Sequence, residues 1–374
     1  MLTRVYIHNF RCFQNFEFDF GKIHEAAIIG LNGTGKTTIS RVLDVLRQIG
    51  GGRSSVDELI GVRDFWHASA EELLRIEVSF RIGTDSYAYG FALEFPEGFV
   101  KLRVAEESLE ANGVRILSRD RAQVTLVNRS GNESRFLNDW HEFVLPRIFI
   151  QEGVTSEAVK EVRGFFSEIL VLRPIPDDMG EGGQLEGGLS LLPKCTNFEE
   201  WLCRQYSEIP DIYENMKTWL RGSRPLRDFV GFLAKDGKLL IRFKADEKIE
   251  SLPFCWLSSG EKVFFLAAAV MAVNDCRERP LLCFWDEPDN YMSLSEIGHV
   301  MTSLRHCFAS RGQLIVTSHS DEAISKFPDE GVFHLMRNSH LEPTLPMQNV
   351  AQRKKELELD GEKGMLMLTG DLEG

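Results

Sequence analysis

Gly30-Leu31-Asn32-Gly33-Thr34-Gly35-Lys36-Thr37 is the stretch whose reading decides the fold. It fits GxxxxGK[ST] without a mismatch, directly after the apolar run Ala26 to Ile29 and directly before Lys36 to Gln48, where Ile39, Val42, Leu43 and Leu46 recur at helical spacing. Strand, glycine loop and helix in that order make a phosphate cradle. The glycines let the backbone curl so that successive N–H groups point inward, and the positive end of the helix closes the nest. A triphosphate suits such a loop, with Lys36 on its β and γ phosphates and the Thr37 hydroxyl on Mg²⁺. The plain alternative is a glycine-rich turn that binds nothing, and the full match with both flanks in place weighs against it.

Working outward, three further segments stand at the ends of apolar stretches. Leu281 to Trp285 runs into Asp286-Glu287-Pro288. Two adjacent acids before a proline also make a solvated turn; beside a phosphate loop, Asp286 is expected to hold Mg²⁺ and Glu287 to act as general base on the attacking water. Leu257-Ser258-Ser259-Gly260-Glu261-Lys262 precedes an apolar helix and by itself is only an N-cap. Thr317-Ser318-His319-Ser320 follows the apolar Leu314 to Val316, and a lone histidine there is usually structural. Spacing shifts that balance. Ser259 and Asp286 are 27 residues apart and Glu287 and His319 are 32 apart, each about one helix plus one strand. All three segments are thus expected at one crevice at the carboxyl ends of parallel strands.

The remaining chain falls into regions. Val5, Ile7 and then Phe16, Phe18, Phe20 alternate as strands, and residues 71–150 repeat that pattern with turn signals near Gly83 and at Ala111 to Val114. Asp177 to Gly188 reads as a mobile linker. Two helices follow, one capped by Asn197 and one beginning at Pro210. From Leu239 a strand, helix, strand, helix, strand order (Leu239 to Phe243, Glu261 to Val273, Leu281 to Trp285, Ser293 to Phe308, Gln313 to Thr317) implies a parallel sheet. The expected organisation is an α/β core from residues 1–50 and 239–340, an insertion over 51–238 with an antiparallel region near 71–150 and a helical subdomain near 190–235, and a tail over 341–374.

Composition sets limits. At 374 residues, 43% hydrophobic and 26% charged, the chain is that of a globular protein, with no apolar run near the ~20 residues of a membrane-spanning helix. The start MLTRVYIHNFRCF lacks the features of a signal peptide, so a cytoplasmic location is expected. Seven scattered cysteines with no CxxC spacing are read as reduced packing residues. A net charge of −13 repels nucleic acid, so DNA contact would need a local basic patch.

Together, GLNGTGKT, LSSGEK, LCFWDEP, Asp289-Asn290 and TSHS, with the opening Ile7-His8-Asn9-Phe10-Arg11-Cys12-Phe13, resemble the ATP-binding-cassette ATPases of the RecF and SMC type, including the compact AAA family ATPases of bacterial phage-defence and repair systems. The resemblance implies a mixed-sheet ATPase head with an amino-terminal antiparallel β subdomain, a carboxyl-terminal parallel β/α core and a helical insertion. It implies Mg·ATP held by Gly30, Asn32, Gly33, Thr34, Gly35, Lys36, Thr37 and Thr38, with Arg11 from the opening strand. Catalysis would fall to Glu287, Lys36 and His319, and Mg²⁺ to Thr37 and Asp286. Ser259 and Gly260 would contact ATP on a second subunit and Asp289 would communicate across the dimer, giving a homodimer closed on two nucleotides and open to further assembly. A separate effector protein, a nuclease among the options, is the expected partner, because no nuclease carboxylate array follows the core. Gln151 is the candidate Q-loop residue. LSSGEK in place of LSGGQ, and the lack of a fused membrane segment, point away from transport.

Overall fold

The computed structural model describes residues 1–68, 72–128, 131–148, 154–180, 190–221, 226, 228–235 and 237–356. Gln151, the linker beyond Gly180 and the tail beyond Glu356 lie outside the described residues. The strands, in chain order, are β1 (Leu2–His8), β2 (Phe16–Asp19), β3 (Glu25–Ile29), β4 (Leu74–Ile82), β5 (Asp85–Glu94), β6 (Arg103–Ala111), β7 (Val114–Asp120), β8 (Gln123–Val127), β9 (Glu133–Leu137), β10 (Leu170–Leu172), β11 (Phe229–Lys235), β12 (Lys238–Ala245), β13 (Lys248–Pro253), β14 (Leu282–Asp286), β15 (Gln313–Thr317), β16 (Val332–His334) and β17 (Gln348–Asn349). The helices are α1 (Lys36–Gly50), α2 (Val56–Leu59), α3 (Val154–Ser167), α4 (Phe198–Glu208), α5 (Asp211–Arg221), α6 (Ser259–Cys276), α7 (Leu294–Ser310), α8 (Asp321–Ser325) and α9 (Val350–Glu356).

The chain divides into two compact units. One comprises Met1–Ile23, Ile29–Ile169 and Phe333–Asn349; the other comprises His24–Ile28, Leu170–Val332 and Val350–Gly374.

The first unit is built on an antiparallel sheet ordered β2-β1-β4-β5-β6-β7-β8-β9. Its strands follow from alternation: Leu74, Ile76, Val78 and Phe80 are buried while their neighbours are half-exposed. The β6–β7 hairpin turns on Asn112-Gly113, both at positive φ (51° and 77°), as that two-residue turn requires. Helix α1 lays Ile39, Val42, Leu43 and Leu46 inward. Gly50 lets it approach α3, since a Cβ there would lie 2.5 Å from the Ser167 N and 2.6 Å from the Phe166 Cβ.

In the second unit β10, β14, β15 and β3 form a parallel ladder in that order. Cys283, Phe284, Trp285, Leu314, Ile315 and Val316 are fully buried, the continuous apolar signature of strands covered on both faces. Helix α6 is buried from Lys262 to Asn274. Arg305 of α7 pairs with Glu25 at the start of β3 through two bonds of 2.7 and 2.9 Å. At 18 residues α6 is the longest described helix. No described helix is long and apolar enough to cross a membrane.

One expectation is corrected here. Leu239 to Phe243 belongs to β12, the middle of a separate antiparallel sheet β11-β12-β13, and not to the parallel ladder. The pattern explains it: only Leu239 and Ile241 of that run are fully buried, so the strand is half-solvated where Leu282 to Trp285 is apolar throughout. The parallel neighbours of β14 are β15 and β10, and the three residues of β10 are too few to signal a strand in the sequence. Cys255 also departs from the packing role expected of the cysteines, for it is exposed.

Candidate functional site

The phosphate loop begins where β3 ends. Gly30, Gly33 and Gly35 take φ of 147°, 83° and 113°, conformations that side chains strain to adopt. Space forbids one as well: a Cβ on Gly30 would stand 2.3 Å from the Leu335 O, and one on Gly35 would meet Phe13 Cζ at 2.6 Å and Cys12 Sγ at 2.8 Å. Lys36, only 7% exposed, donates from Nζ to Gly30 O at 2.6 Å and Leu31 O at 3.1 Å. Helix α1 starts with no side-chain cap and no acid in its first turn. An ammonium held by neutral carbonyls at the positive end of a helix suits a polyphosphate, so the residues present fit a nucleotide. Asn32, Gly33 and Thr37 are exposed, and Thr34 and Thr38 are buried.

Beneath the loop, Phe10 and Phe13 bond backbone to backbone in a tight turn, and the Cys12 Sγ reaches Thr38 Oγ1 at 3.7 Å. Arg11 stands in that turn at φ 53°. It donates through Nε to Asp64 Oδ1 at 2.7 Å and lines a cleft of about 670 Å³ with Arg41, Arg63 and His67.

In the second unit the acids sit at the carboxyl end of β14, where Asp286 pairs in register with Thr317. The buried Thr317 ties both acids: its hydroxyl donates to Asp286 Oδ1, and its oxygens O and Oγ1 each accept from the Glu287 N–H at 3.1 Å. That grip holds Glu287 at φ 51°, a left-handed conformation costing a residue with a side chain about 1–3 kcal/mol. The strained backbone aims the carboxylate out of the strand, where Oε2 accepts from Asn290 Nδ2 at 2.8 Å and Oε1 lies 3.7 Å from His319 Nε2. Two expected site residues, Glu287 and His319, are therefore neighbours. Asp289 is half-buried with an unpartnered Oδ1, and burial pushes its carboxyl above the usual range against a hydrogen bond from Ser318. Among the described residues no group of three or more His, Cys, Asp or Glu side chains could hold a metal by itself.

In the segment Leu257 to Lys262 the N-cap of α6 is Ser258. Glu261 Oε2 accepts from the Ser258 N at 2.8 Å and Ser258 Oγ at 2.7 Å, a capping box. Ser259 is the first residue of α6, and a Cβ on Gly260 would stand 2.9 Å from the Tyr291 O, so the segment abuts the loop carrying Asp289.

Sequence reasoning missed Thr317, visible only once register sets it beside Asp286, and the segment 335–344, which lies against the phosphate loop from about 300 residues away.

Residues 1–137 match the model of the AAA ATPase domain family. No curated protein matches the sequence. Among solved structures the chain is similar to an SMC head bound to the C-winged helix domain of ScpA, at 16% identity over 94% of this chain and 99% of that one, with a TM-score of 0.56. It is also similar to an SMC head with an extended coiled coil bound to the C-terminal domain of ScpA, derived from Pyrococcus furiosus, at 12% identity over 96% and 98%, with a TM-score of 0.55. The chain thus matches an AAA ATPase domain over its first 137 residues and has the fold of an SMC head.

Proposed function

We propose that the protein is a Mg·ATP-dependent ATPase that dimerises on ATP and works as a molecular switch. The observation that carries this reading is Glu287, held in a strained backbone beside His319 at the end of an apolar strand, in a chain whose Lys36 and three left-handed glycines form a phosphate loop. The loop residues Gly30, Asn32, Gly33, Thr34, Gly35, Lys36, Thr37 and Thr38 would bind the phosphates, with Arg11 toward the nucleotide. Thr37 and Asp286 would hold Mg²⁺, which when bound offsets phosphate charge. Glu287 would take a proton from water as its oxygen bonds to the γ-phosphorus, the bond to the β-γ bridging oxygen breaks, and ADP leaves with that oxygen. His319 would sense the γ-phosphate. Ser259 and Gly260 would reach ATP on a second copy and Asp289 would link the two, so that ATP binding favours the closed dimer by mass action.

The resemblance supplies the setting: a regulator ATPase of a two-component phage-defence system that controls a separate effector, in the cytoplasm. A protein partner is consistent with the SMC heads above, each bound to a domain of ScpA. The net charge of −13 favours a protein trigger over a RecF-like role on DNA.

The test is phosphate release by the purified chain, with and without duplex DNA, at low and physiological salt. Slow turnover indifferent to DNA is expected, absent in Lys36→Ala. Glu287→Gln should lower the rate by about 10²–10⁴-fold and accumulate an ATP-bound dimer seen by light scattering. A Glu287→Gln variant as fast as its parent would overturn the assignment, DNA stimulation lost in Lys36→Ala would favour the repair-type role, and ATP binding without turnover would leave a nucleotide-sensing scaffold.

A further inference from the structure

We infer that Arg337 and Thr344 are positioning residues for the phosphate loop, which they preset by holding two consecutive carbonyls outward. Arg337 Nη1 donates to the Gly33 O at 3.1 Å, and Thr344 Oγ1 donates to the Thr34 O at 2.7 Å. A trans peptide puts its N–H opposite its C=O. Turning the Gly33 and Thr34 carbonyls toward segment 335–344 therefore turns the Thr34 and Gly35 N–H groups the other way, into the curl of the loop, and the Thr34 N–H keeps only a long 3.4 Å bond to the Leu31 O. Inward N–H groups are what an anion nest needs.

The segment is itself fixed. Leu335 N donates to the Ile29 O at 2.9 Å and Thr344 N to the Cys12 O at 2.9 Å, so both ends are anchored by backbone. Between them the Arg337 fork spends its donors on carbonyls: Nε on Glu342 at 2.8 Å, Nη2 on His340 at 2.7 Å and Nη1 on Gly33. Its guanidinium also lies 5.6 Å from the centre of the Trp66 ring. Thr344 is 3% exposed, so its hydroxyl works without competition from water. A preset loop binds phosphate without first reorganising, and the gain appears in affinity.

This rests on the nucleotide reading of the loop. The experiment measures the Kd for ATP and the KM and kcat of hydrolysis in the full chain for the parent, Thr344→Val, Thr344→Ser, Arg337→Ala and Arg337→Lys, with unfolding midpoints recorded alongside. Thr344→Val removes the hydroxyl at constant shape and should raise Kd and KM by up to about tenfold, the upper worth of a buried neutral hydrogen bond, with kcat unchanged; Thr344→Ser should restore both. Arg337→Ala should act likewise, and Arg337→Lys should stay weakened, because the three donors of an ammonium radiate from one nitrogen and cannot span carbonyls set out around a planar fork. Unchanged Kd in Thr344→Val and Arg337→Ala overturns the inference. So does full rescue by Arg337→Lys, which would make charge near the phosphates the cause. A parent that binds no ATP overturns instead the reading of the loop itself.

Discussion

Replacing Gly35 by alanine tests whether the phosphate loop is shaped by backbone geometry and close packing together. Gly35 stands at φ 113°, ψ 6°, which costs alanine about 1–3 kcal/mol. Its new Cβ would fall 2.6 Å from Phe13 Cζ and 2.8 Å from Cys12 Sγ. Neither neighbour can retreat freely: Phe13 is fully buried and stacked on Phe16 with ring centroids 4.1 Å apart, and Cys12 is 7% exposed. Overpacking of that kind costs a further ~1–3 kcal/mol. The sum is about 2–6 kcal/mol, and at roughly 2–4 °C per kcal/mol for a domain of 150–250 residues the melting temperature should fall by about 5–20 °C. Calorimetry or urea unfolding of nucleotide-free protein measures it. A cycle with Phe13→Leu separates the two causes, since trimming the ring relieves the contact and leaves the dihedral strain, so the double variant should be about 1 kcal/mol more stable than additivity. A Gly35→Ala protein within about 0.5 kcal/mol of its parent would refute the reasoning, and an additive cycle would refute the contact.

Further outcomes follow from particular side chains. Glu107 and Arg119 are fully buried together, and Glu107 accepts from the Val144 and Leu145 N–H groups at 2.7 and 2.9 Å, so Glu107→Ala strands a charge and should cost about 3–5 kcal/mol in urea unfolding; a loss under about 1 kcal/mol would show that this clamp is dispensable. Burial raises the Asp289 carboxyl, so the folded state holds that proton more tightly than the unfolded chain; stability relative to Asp289→Asn should be greatest below the unfolded value of 3.8 and fall as pH rises toward the raised value, and parallel pH profiles would contradict this. Cys255 is exposed, whereas burial pushes Cys203 up to about 11 and Cys307 to about 12, and raises Cys195 and Cys283 further, so a thiol reagent at neutral pH should show one fast site lost in Cys255→Ser.

The phosphate loop was legible because its requirements are local: glycines where the backbone needs positive φ, an apolar strand before and an amphipathic helix after, all within some twenty-five residues. The apolar runs ending at Asp286 and Thr317 were legible for the same reason, and a parallel strand covered on both faces advertises itself by lacking polar positions. Register was not. Only pairing between β14 and β15 sets Thr317 beside Asp286, where one hydroxyl serves the aspartate and the strained Glu287 peptide at once. Nor could spacing tell that Leu239 to Phe243 joins an antiparallel sheet, since the choice depends on which neighbours cover its second face. What sequence by itself determined was where the glycine loop and the paired acids stand, each at the end of an apolar strand, because those patterns are carried by contiguous residues. What tertiary structure alone decided was how they are held: Arg337 and Thr344 act on carbonyls 304 and 310 residues away, and a backbone carbonyl carries no side-chain signature by which a distant donor could be found.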